Sequence, residues 1–434
     1  MNEDTASHFP SGPRGRLLVV GGGITGLSAA VEAAEAGCGV VLVEAAPFLG
    51  GRVAQMHQYF PKLCPPLCGI ELNLRRFRTS SRILVLTLAE VTEATERRGA
   101  LRVTVVRRPR FVGDGCSACG QCVEACPAER RHDLDLGMRS TKAIYLPHPA
   151  ATPTRYAIDR EACLGPTCAL CAAACPHGAI DLSMEARELE MDVQAVIWAT
   201  GWDPYDPSSL RELGYGAHPD IITSLMLERL AASDGPTRGR ILCPSDGRVP
   251  RRVAFIQCAG SRDQSHLPYC SAVCCLATAK QARYLRAAHP EVEIAVYSID
   301  RRAQGTSERF LTETAEDPRV RYVSGKVGAV TVDEGSPVVE FEDVTSGRRG
   351  AESVDLVVLA TGITPVRRRS GAERWLARDS DGFLLGEQPS PCHFVAGCAR
   401  QPQDVASCVR DATRAVARAL TWRSGEPPHE VLHG

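Results

Sequence analysis

Two runs of cysteines constrain this chain most, because any fold it adopts must bring the cysteines of each cluster together in space. Each run has four cysteines and a proline directly after the last one. The runs are Cys116, Cys119, Cys122 and Cys126, then Cys163, Cys168, Cys171 and Cys175. The gaps are two, two and three residues in the first run and four, two and three in the second. Such gaps with a trailing proline are typical of [4Fe–4S] cluster sites.

Taken together, the two runs resemble two-cluster bacterial ferredoxins, in which the fourth cysteine of each run ligates the other cluster. This resemblance implies that Cys175 completes the first set and that Cys126 completes the second. Structural zinc is the alternative, because cysteine pairs two residues apart also bind zinc. Zinc needs only four ligands and no proline, so eight cysteines in this order favour two clusters.

A strand–turn–helix–strand pattern near the N terminus predicts a dinucleotide-binding site. Residues 16–20 form an apolar run that leads into a glycine-rich turn, then a helical segment, then a second apolar run ending at Glu44. The predicted turn and helix start comprise Gly21, Gly23, Ile24, Thr25 and Gly26. The three glycines allow the tight turn, the approach of the backbone to a pyrophosphate, and close helix packing. Free N–H groups at the helix start bind the pyrophosphate, and Glu44 accepts hydrogen bonds from the adenosine ribose.

The surrounding segments favour FAD over NAD, as in flavoproteins with two dinucleotide-binding domains. A Gly-Gly-Arg segment follows Glu44, and two apolar runs end in Ala-Thr-Gly at 199–201 and 360–362. The C-terminal strand, loop and helix resemble the closing FAD element of those proteins, although Gly397-Cys398 stands where they carry Gly-Asp. Cys398 is therefore a candidate neighbour of the flavin. The additional predicted contacts are Gly50, Gly51, Arg52, Ala199, Thr200, Gly201, Gly397 and Asp404.

The second half of the chain predicts a nucleotide-binding domain without its phosphate-binding turn. Strand-like runs cover 252–256 and 293–300, but the first continues into QCAGSRD instead of a glycine fingerprint. Hydride donation by NAD(P)H is therefore not expected there. A third cysteine group occupies this region and is joined by two earlier cysteines: Cys64, Cys68, Cys258, Cys270, Cys274 and Cys275. They are candidates for a third cluster, for buried packing thiols or for a redox-active dithiol.

Length, charge and cysteine content narrow the classes of protein further. The 434 residues require more than one domain, and 50 basic against 51 acidic residues argue against a nucleic-acid partner. Nineteen cysteines after a polar start, residues 1–16, indicate reduced thiols and metal ligands in a cytoplasmic protein. No apolar stretch reaches the roughly 20 residues of a membrane span, so we expect peripheral attachment at the inner membrane only through partner subunits.

We predict an α/β fold with two dinucleotide-binding domains and an inserted two-cluster domain. The predicted FAD-binding domain comprises 15–110, 183–240 and 349–434. The ferredoxin-like insertion covers 111–182, and a degenerate NAD(P)-binding-like domain covers 241–348. We expect no catalytic side chains, because no nucleophile triad, acid–base carboxylate pair or HExxH motif is present.

Several phrases resemble the A subunit of heterodisulfide reductase: KAIYLPHP, IQCAGSRD and YCSAVCC. Others look closer to the A subunit of the quinone-interacting membrane-bound oxidoreductase complex: HQYFPKLCPPLCG, IWATGWDPYDP, ITSLMLERL and SRDQSHLPYC. This resemblance implies a thioredoxin-reductase-like fold and an electron-transfer subunit that links the quinone pool to cytoplasmic sulfur metabolism. The resemblance also implies two partner subunits, one that carries flavin and iron–sulfur clusters and one in the membrane that reacts with quinone. It further implies a soluble redox partner such as adenylyl-sulfate reductase. The alternatives are a non-catalytic redox scaffold and an NAD(P)H-dependent oxidoreductase similar to the glutamate synthase small subunit.

Overall fold

The computed structural model describes residues 12–97, 100–303, 305, 307–366, 375–386 and 392–422, so residues 1–11 of the predicted polar start lie outside the described residues. The strands are β1 Arg16–Val20, β2 Gly39–Glu44, β3 Ile83–Thr87, β4 Ala89–Arg97, β5 Ala100–Arg107, β6 Glu129–Arg131, β7 Ser140–Lys142, β8 Ile144–Tyr145, β9 Ala157–Ile158, β10 Arg187–Val193, β11 Ala195–Trp198, β12 Trp202–Pro204, β13 Ile221–Thr223, β14 Arg252–Ala259, β15 Glu293–Ser298, β16 Val320–Ser324, β17 Val327–Asp333, β18 Ser336–Asp343, β19 Arg348–Ser353, β20 Leu356–Thr361, β21 Ile363–Pro365 and β22 His393–Val395. The α-helices are α1 Ile24–Glu35, α2 Leu67–Thr79, α3 Gln121–Ala125, α4 Leu170–Ala173, α5 Ser224–Ala231, α6 Cys274–Ala288, α7 Ser307–Ala315 and α8 Val405–Trp422. Within these ranges no helix combines the length and apolar character needed to cross a membrane.

The first sheet is parallel throughout and has the strand order β22-β11-β1-β2-β3. Its strands are nearly continuous apolar runs because helices cover one face and a second sheet covers the other. Helices α1 and α8 pack on one side, where Leu27 and Ala412 belong to the same buried cluster. The antiparallel sheet β10-β5-β4 packs on the other side. The predicted strands 16–20 and 39–44 coincide with β1 and β2.

The second sheet is also parallel, in the order β13-β20-β14-β15-β16. It therefore recruits β13 and β20 from outside the range 241–348 that was predicted for this domain. Strands of a parallel sheet are joined by long crossovers, so neighbours in space are distant in sequence and a contiguous range cannot contain them. The second Ala-Thr-Gly sequence, 360–362, accordingly ends a strand of this sheet, whereas the first follows β11 of the first sheet.

Residues 111–182 lie between β5 and β10, which pair directly with each other in the antiparallel sheet. The segment contains only short elements, the ladders β6–β7 and β8–β9 and the helices α3 and α4. Its own small apolar cluster includes Phe111, Ile144 and Tyr156 together with two cysteines, Cys122 and Cys171. The cysteine runs therefore sit in a separate unit that emerges from the sheet covering the first domain.

A buried indole–imidazole pair lies near the edge of the first sheet. Trp198 donates from Nε1 to Nδ1 of His393 at 3.0 Å, and both side chains are buried. Burial lowers the pKa of His393 to about 4, so the imidazole remains neutral and can accept this hydrogen bond. The interaction joins β11 to β22, the strand that leads into the C-terminal helix.

This low pKa predicts a pH-dependent contribution to stability. The folded-state pKa of about 4 lies below the ordinary value of 6.5, so the unfolded chain binds more protons between these limits. We expect the contribution to be complete above about pH 6.5 and to fall by about 3 kcal/mol on acidification to pH 4. Urea unfolding should show a shallower loss over this window in His393→Asn, whose amide oxygen can still accept from Trp198. The same pH slope in both proteins would contradict the assignment to His393.

Candidate functional site

The glycine-rich turn between β1 and α1 is shaped by close backbone contacts. A Cβ on Gly21 would lie 2.3 Å from the carbonyl oxygen of Ala199, and its φ of +108° also favours glycine. A Cβ on Gly26 would lie 1.8 Å from the carbonyl oxygen of Gly21, which brings the helix against the turn. Gly23 differs, because the nearest atom to its added Cβ is 3.9 Å away, at Gly51 Cα. The protein thus leaves open space above Gly23, where the fingerprint expects the pyrophosphate.

The start of α1 faces this space with free donors. Gly23 is the N-cap residue and supplies no side-chain hydrogen bond, and the first turn contains no acidic residue. Ile24, Thr25 and Gly26 begin the helix, and N–H groups in a first turn have no intrahelical acceptor. A 12-residue helix with such an end is suited to bind a phosphate group. The residues present therefore fit a dinucleotide.

Glu44, at the end of β2, lies beside the same turn. Its Oε2 accepts from the Gly22 N–H at 2.6 Å and its Oε1 accepts from the Ala46 N–H at 2.7 Å. Burial raises the pKa of Glu44, and these backbone hydrogen bonds act in the opposite direction. The carboxylate is thereby held next to the glycine turn, as a residue that binds the adenosine ribose must be.

The Gly-Gly-Arg segment contacts the turn from the other side. The Gly50 N–H donates to the Gly22 carbonyl at 2.8 Å, and a Cβ on Gly51 would lie 3.0 Å from Gly23 Cα. Arg52 forms an ion pair with Asp203 at 2.6 Å, four residues after Ala199. The Arg52 guanidinium therefore connects the segment to the first Ala-Thr-Gly turn, Ala199, Thr200 and Gly201.

The C-terminal element reaches the same region through Gly397. This residue has a φ of +70°, and an added Cβ would lie 2.4 Å from Thr25 Oγ1. The next residue, Cys398, lies with its sulfur 3.7 Å from that of Cys408 in the buried core. The Asp404 carboxylate accepts from the Ser407 N–H at 2.7 Å and so caps α8. A flavin contact by Asp404 stays a prediction, since its resolved hydrogen bond serves the helix.

Four cysteines of the inserted segment line one pocket. Three come from the first run and one from the second: Cys116, Cys119, Cys122 and Cys175. Tyr156 and His177 complete part of its wall, and His177 Nε2 is hydrogen-bonded to the Ser117 hydroxyl at 2.8 Å. Burial, followed by the neighbouring Cys116 thiol, raises the pKa of Cys122 to about 11. Four thiols that line one pocket match the number of cysteine ligands that a [4Fe–4S] cluster needs.

Three of the remaining cysteines of the two runs, Cys126, Cys163 and Cys171, form a second group. Burial raises the pKa of Cys171, and the thiols of Cys126 and Cys163 act in the same direction. The longer gap of the second run is taken up by a turn at Gly165, which has a φ of +89° and donates its N–H to the Cys163 sulfur at 3.4 Å. Hydrogen bonds of this kind tune cluster potentials. Within the described residues no three His, Cys, Asp or Glu side chains converge closely enough for a single metal ion.

A third group of cysteines lies at the start of α6. Cys258, Cys270 and Cys275 all act electrostatically on Cys274, whose pKa is raised by burial and by these three thiols. Cys274 and Cys275 are the first two residues of the helix, and Cys258 lies near the end of β14 with a φ of +55°. The structure therefore brings four of the six candidates together.

The other two candidates, Cys64 and Cys68, lie beside Tyr59. After burial, these thiols are the main groups that raise the pKa of Tyr59, whose hydroxyl donates to the Pro66 carbonyl at 3.0 Å. Their loop is closed by a hydrogen bond from the Tyr59 N–H to the Cys64 carbonyl at 2.8 Å. They therefore lie at the start of α2, and the neighbouring Leu63 packs against the apolar cluster around Leu276 of α6.

The turn after β14 differs from the glycine turn after β1. Its glycine, Gly260, has a φ of +80°, and an added Cβ would lie 2.7 Å from the ring of Tyr205. That ring is itself buried, and its hydroxyl is hydrogen-bonded to His266 Nδ1 at 2.7 Å. An aromatic ring and the thiols at α6 thus border the turn where a second dinucleotide would lie. The arrangement is consistent with the missing glycine fingerprint.

Sequence reasoning assigned no role to two of these residues, Asp203 and Tyr205. Both follow the first Ala-Thr-Gly turn within four residues, in the phrase WDPYDP. Their proximity in sequence to this predicted cofactor contact is the only feature that could have marked them as residues near the site. Their partners, Arg52 and Gly260, are distant in sequence, and only the fold reveals the contacts.

The comparisons with known proteins agree with this geometry. A family model described as FAD dependent oxidoreductase matches residues 17–106. The A subunit of the H(2):CoB-CoM heterodisulfide,ferredoxin reductase of Methanothermobacter marburgensis is 37% identical over 421 residues, which cover 93% of this chain and 63% of that protein. The iron-sulfur A subunit numbered 2 of the CoB–CoM heterodisulfide reductase of Methanopyrus kandleri is 37% identical, with coverages of 94% and 64%.

Thioredoxin reductase of Lactococcus lactis in its FR conformation superimposes with a TM-score of 0.51 at 13% identity, covering 95% of this chain and 99% of that one. The two-dinucleotide-domain fold predicted from the sequence is therefore confirmed. The glycine turn and the family match identify residues 17–106 as part of an FAD dependent oxidoreductase, within a fold that is shared with thioredoxin reductase. Over nearly its whole length it is similar to A subunits of heterodisulfide reductases, and it spans somewhat less than two thirds of the length of the two relatives named above.

Proposed function

We propose that this chain is an electron-transfer subunit that passes electrons between iron–sulfur clusters and FAD within a larger oxidoreductase complex. The observation that carries the proposal is the pocket lined by Cys116, Cys119, Cys122 and Cys175, in a unit that emerges from the sheet packed on the FAD-binding domain. When bound, FAD exchanges two electrons and each cluster exchanges one, so the pair connects two-electron and one-electron reactions.

The proposed ligand sets follow the three groups of cysteines. The first cluster takes the four pocket cysteines, and the second takes Cys126, Cys163, Cys168 and Cys171. A third cluster takes Cys258, Cys270, Cys274 and Cys275, where the start of α6 adds a favourable dipole for a negatively charged cluster. Burial raises the pKa of Cys258, Cys274 and Cys275, so these thiols stay protonated without metal, and coordination would deprotonate them. Cys64 and Cys68 are left out of this assignment because they lie beside Tyr59.

The proposed partners are the further subunits of such a complex. The names of the relatives describe them as A subunits, and this supports an assembly with other chains. We further propose a second flavin and iron–sulfur subunit, together with a membrane quinone-reactive subunit. A soluble partner of the adenylyl-sulfate reductase type would link the complex to cytoplasmic sulfur metabolism. The phrases HQYFPKLCPPLCG and SRDQSHLPYC support this quinone-linked assignment.

Reductive titration of the purified holoprotein tests the proposal. We expect NADH and NADPH to leave the flavin absorbance unchanged, because Tyr205 and the thiols border the second turn. We expect a low-potential one-electron donor to reduce flavin and clusters together, each with a defined midpoint potential. Rapid bleaching by NAD(P)H alone would instead support an oxidoreductase of the glutamate synthase type. Centres that stay redox-silent across the physiological potential range would support a scaffold.

A further inference from the structure

Two adjacent charged residues of α5, Glu228 and Arg229, are buried with exposed fractions of 3% and 1%. They belong neither to the glycine turn nor to any of the cysteine groups. Burial of an isolated charge is unfavourable, so each must be compensated by close partners. Their partners come from three different parts of the chain.

The Glu228 carboxylate is bound first by α6 of the same domain. Its Oε1 accepts hydrogen bonds from Lys280 Nζ at 2.8 Å, Gln281 Nε2 at 2.6 Å and the Tyr284 hydroxyl at 2.7 Å. Lys280 is also buried, with an exposed fraction of 3%. Burial opposes ionisation, but these contacts lower the pKa of Glu228, so the pair is ionic.

The Glu228–Lys280 ion pair also forms hydrogen bonds with the backbone of the FAD-binding domain. Glu228 Oε2 accepts from the backbone N–H of His57 at 2.9 Å, and Lys280 Nζ donates to the Gln58 carbonyl at 2.8 Å. Residues 57 and 58 are separated only by Met56 from the short helix Gly51–Gln55, which begins with the predicted flavin contacts. The backbone of that segment is therefore fixed by two buried charges of the second domain.

Arg229 points to the inserted segment instead. Its Nε donates to Asp135 Oδ1 at 2.8 Å, and its Nη2 donates to Asp234 Oδ1 at 2.9 Å. Asp135 is fully buried and is also bound by Arg139 and His132. Burial would raise the pKa of Asp135, but hydrogen bonds from His132 and Arg229 lower it to about 2, so the carboxylate remains charged.

We propose that Glu228 and Arg229 are positioning residues that hold the inserted cysteine unit and the flavin-contact segment in a fixed relation to the second domain. The electron-transfer part of this proposal rests on the proposed function. Both contacts are directional hydrogen bonds. The Glu228 carboxylate accepts from two domains, and the Arg229 guanidinium donates to two carboxylates. Transfer between cofactors then takes place at fixed separations and does not require the domains to rotate.

Three variants and a matched control test this role in the full-length holoprotein. Arg229→Lys keeps the charge but cannot reproduce the forked contact, and Asp135→Asn weakens the same contact from the other side. Glu228→Gln weakens the contact with residues 57–58. Lys142→Gln is the control, because it breaks an exposed ion pair with Glu129 inside the inserted segment. Iron and flavin content are measured in all four variants.

Hydrogen–deuterium exchange is the first readout. We expect faster exchange at residues 132–139 in Arg229→Lys and Asp135→Asn, faster exchange at 55–58 in Glu228→Gln, and wild-type exchange at both segments in Lys142→Gln. The second readout is the rate at which single electrons pass from reduced flavin to oxidised clusters. We expect this rate to fall several-fold at unchanged midpoint potentials, because electron transfer slows steeply as the distance between the cofactors increases.

Wild-type exchange at these segments in all three variants would overturn the proposal, and so would faster exchange with an unchanged transfer rate. A wild-type holoprotein with no transfer between flavin and clusters would refute the proposed function instead. In that case, the exchange measurement still decides whether Glu228 and Arg229 hold the three parts together.

Discussion

Gly26→Ala is expected to destabilise the FAD-binding domain by about 4 kcal/mol or more, the range typical of severe steric conflicts. The added Cβ would lie 1.8 Å from the Gly21 carbonyl oxygen, and both groups are part of the backbone of a buried turn. Neither can move without separating α1 from β1, so we expect low soluble yield and a strongly lowered melting temperature. Thermal unfolding of the apoprotein measures the effect without any contribution from cofactor binding.

Gly23→Ala is the matched variant, and we expect it to weaken flavin binding without lowering the stability of the apoprotein. Gly23 has a φ of −75°, which alanine adopts without strain, and the atom nearest to its added Cβ would be Gly51 Cα, at 3.9 Å. We expect a wild-type melting temperature for the apoprotein and a flavin affinity about 10- to 100-fold weaker, or about 1.4 to 2.8 kcal/mol. Flavin fluorescence titration measures this affinity. Unchanged affinity in Gly23→Ala would show that the open space above this residue is not the pyrophosphate site.

Replacement of a single cysteine ligand by serine should remove the iron of one cluster and leave the iron of the other clusters in place. We expect about twelve irons per chain in the wild type, because each of the three proposed clusters contains four. Cys122→Ser and Cys274→Ser should each lose about four irons, since serine replaces a thiolate ligand by a hydroxyl that binds a cluster poorly. Cys68→Ser should lose none, because Cys68 lies beside Tyr59. Iron analysis and electron paramagnetic resonance of the reduced protein measure these losses.

The control for the cysteine series is Cys243→Ala. Cys243 is buried, and its sulfur lies 3.6 Å from the Asp355 carbonyl, away from the three groups. It should retain all iron, so a loss there would indicate general misfolding. About eight irons in the wild type, with no loss in Cys274→Ser, would refute the third cluster but leave the first two intact.

The sequence predicted the parts of the fold that depend on local signals. Strands β1 and β2 coincide with their predicted ranges because both are apolar runs with clear boundaries. The run of β1 ends at the glycine-rich turn, and the run of β2 begins at a glycine and ends at Glu44. The turn between them carries a specific pattern of glycines. Such elements need no information about distant residues, so a single sequence is sufficient to locate them.

Contacts between distant segments could not be predicted in the same way. The sequence offers no signal that β13 pairs with β20, because parallel pairing depends on the crossovers that bring the strands together. For the same reason, six cysteines near the second domain could not be divided into the four at α6 and the two beside Tyr59. Buried ion pairs such as Arg229 with Asp135 join residues 94 positions apart and are equally hidden in the sequence.

The place where the inserted segment joins the chain has an evolutionary consequence. Arg107 at the end of β5 pairs with Arg187 at the start of β10, so the two ends of the insertion emerge side by side. Paired residues of antiparallel strands have Cα atoms only about 5 Å apart, a span that a two-residue hairpin also closes. The segment is thus a cassette that an ancestral flavoprotein could gain at one turn of a surface sheet without a change in the topology of its core.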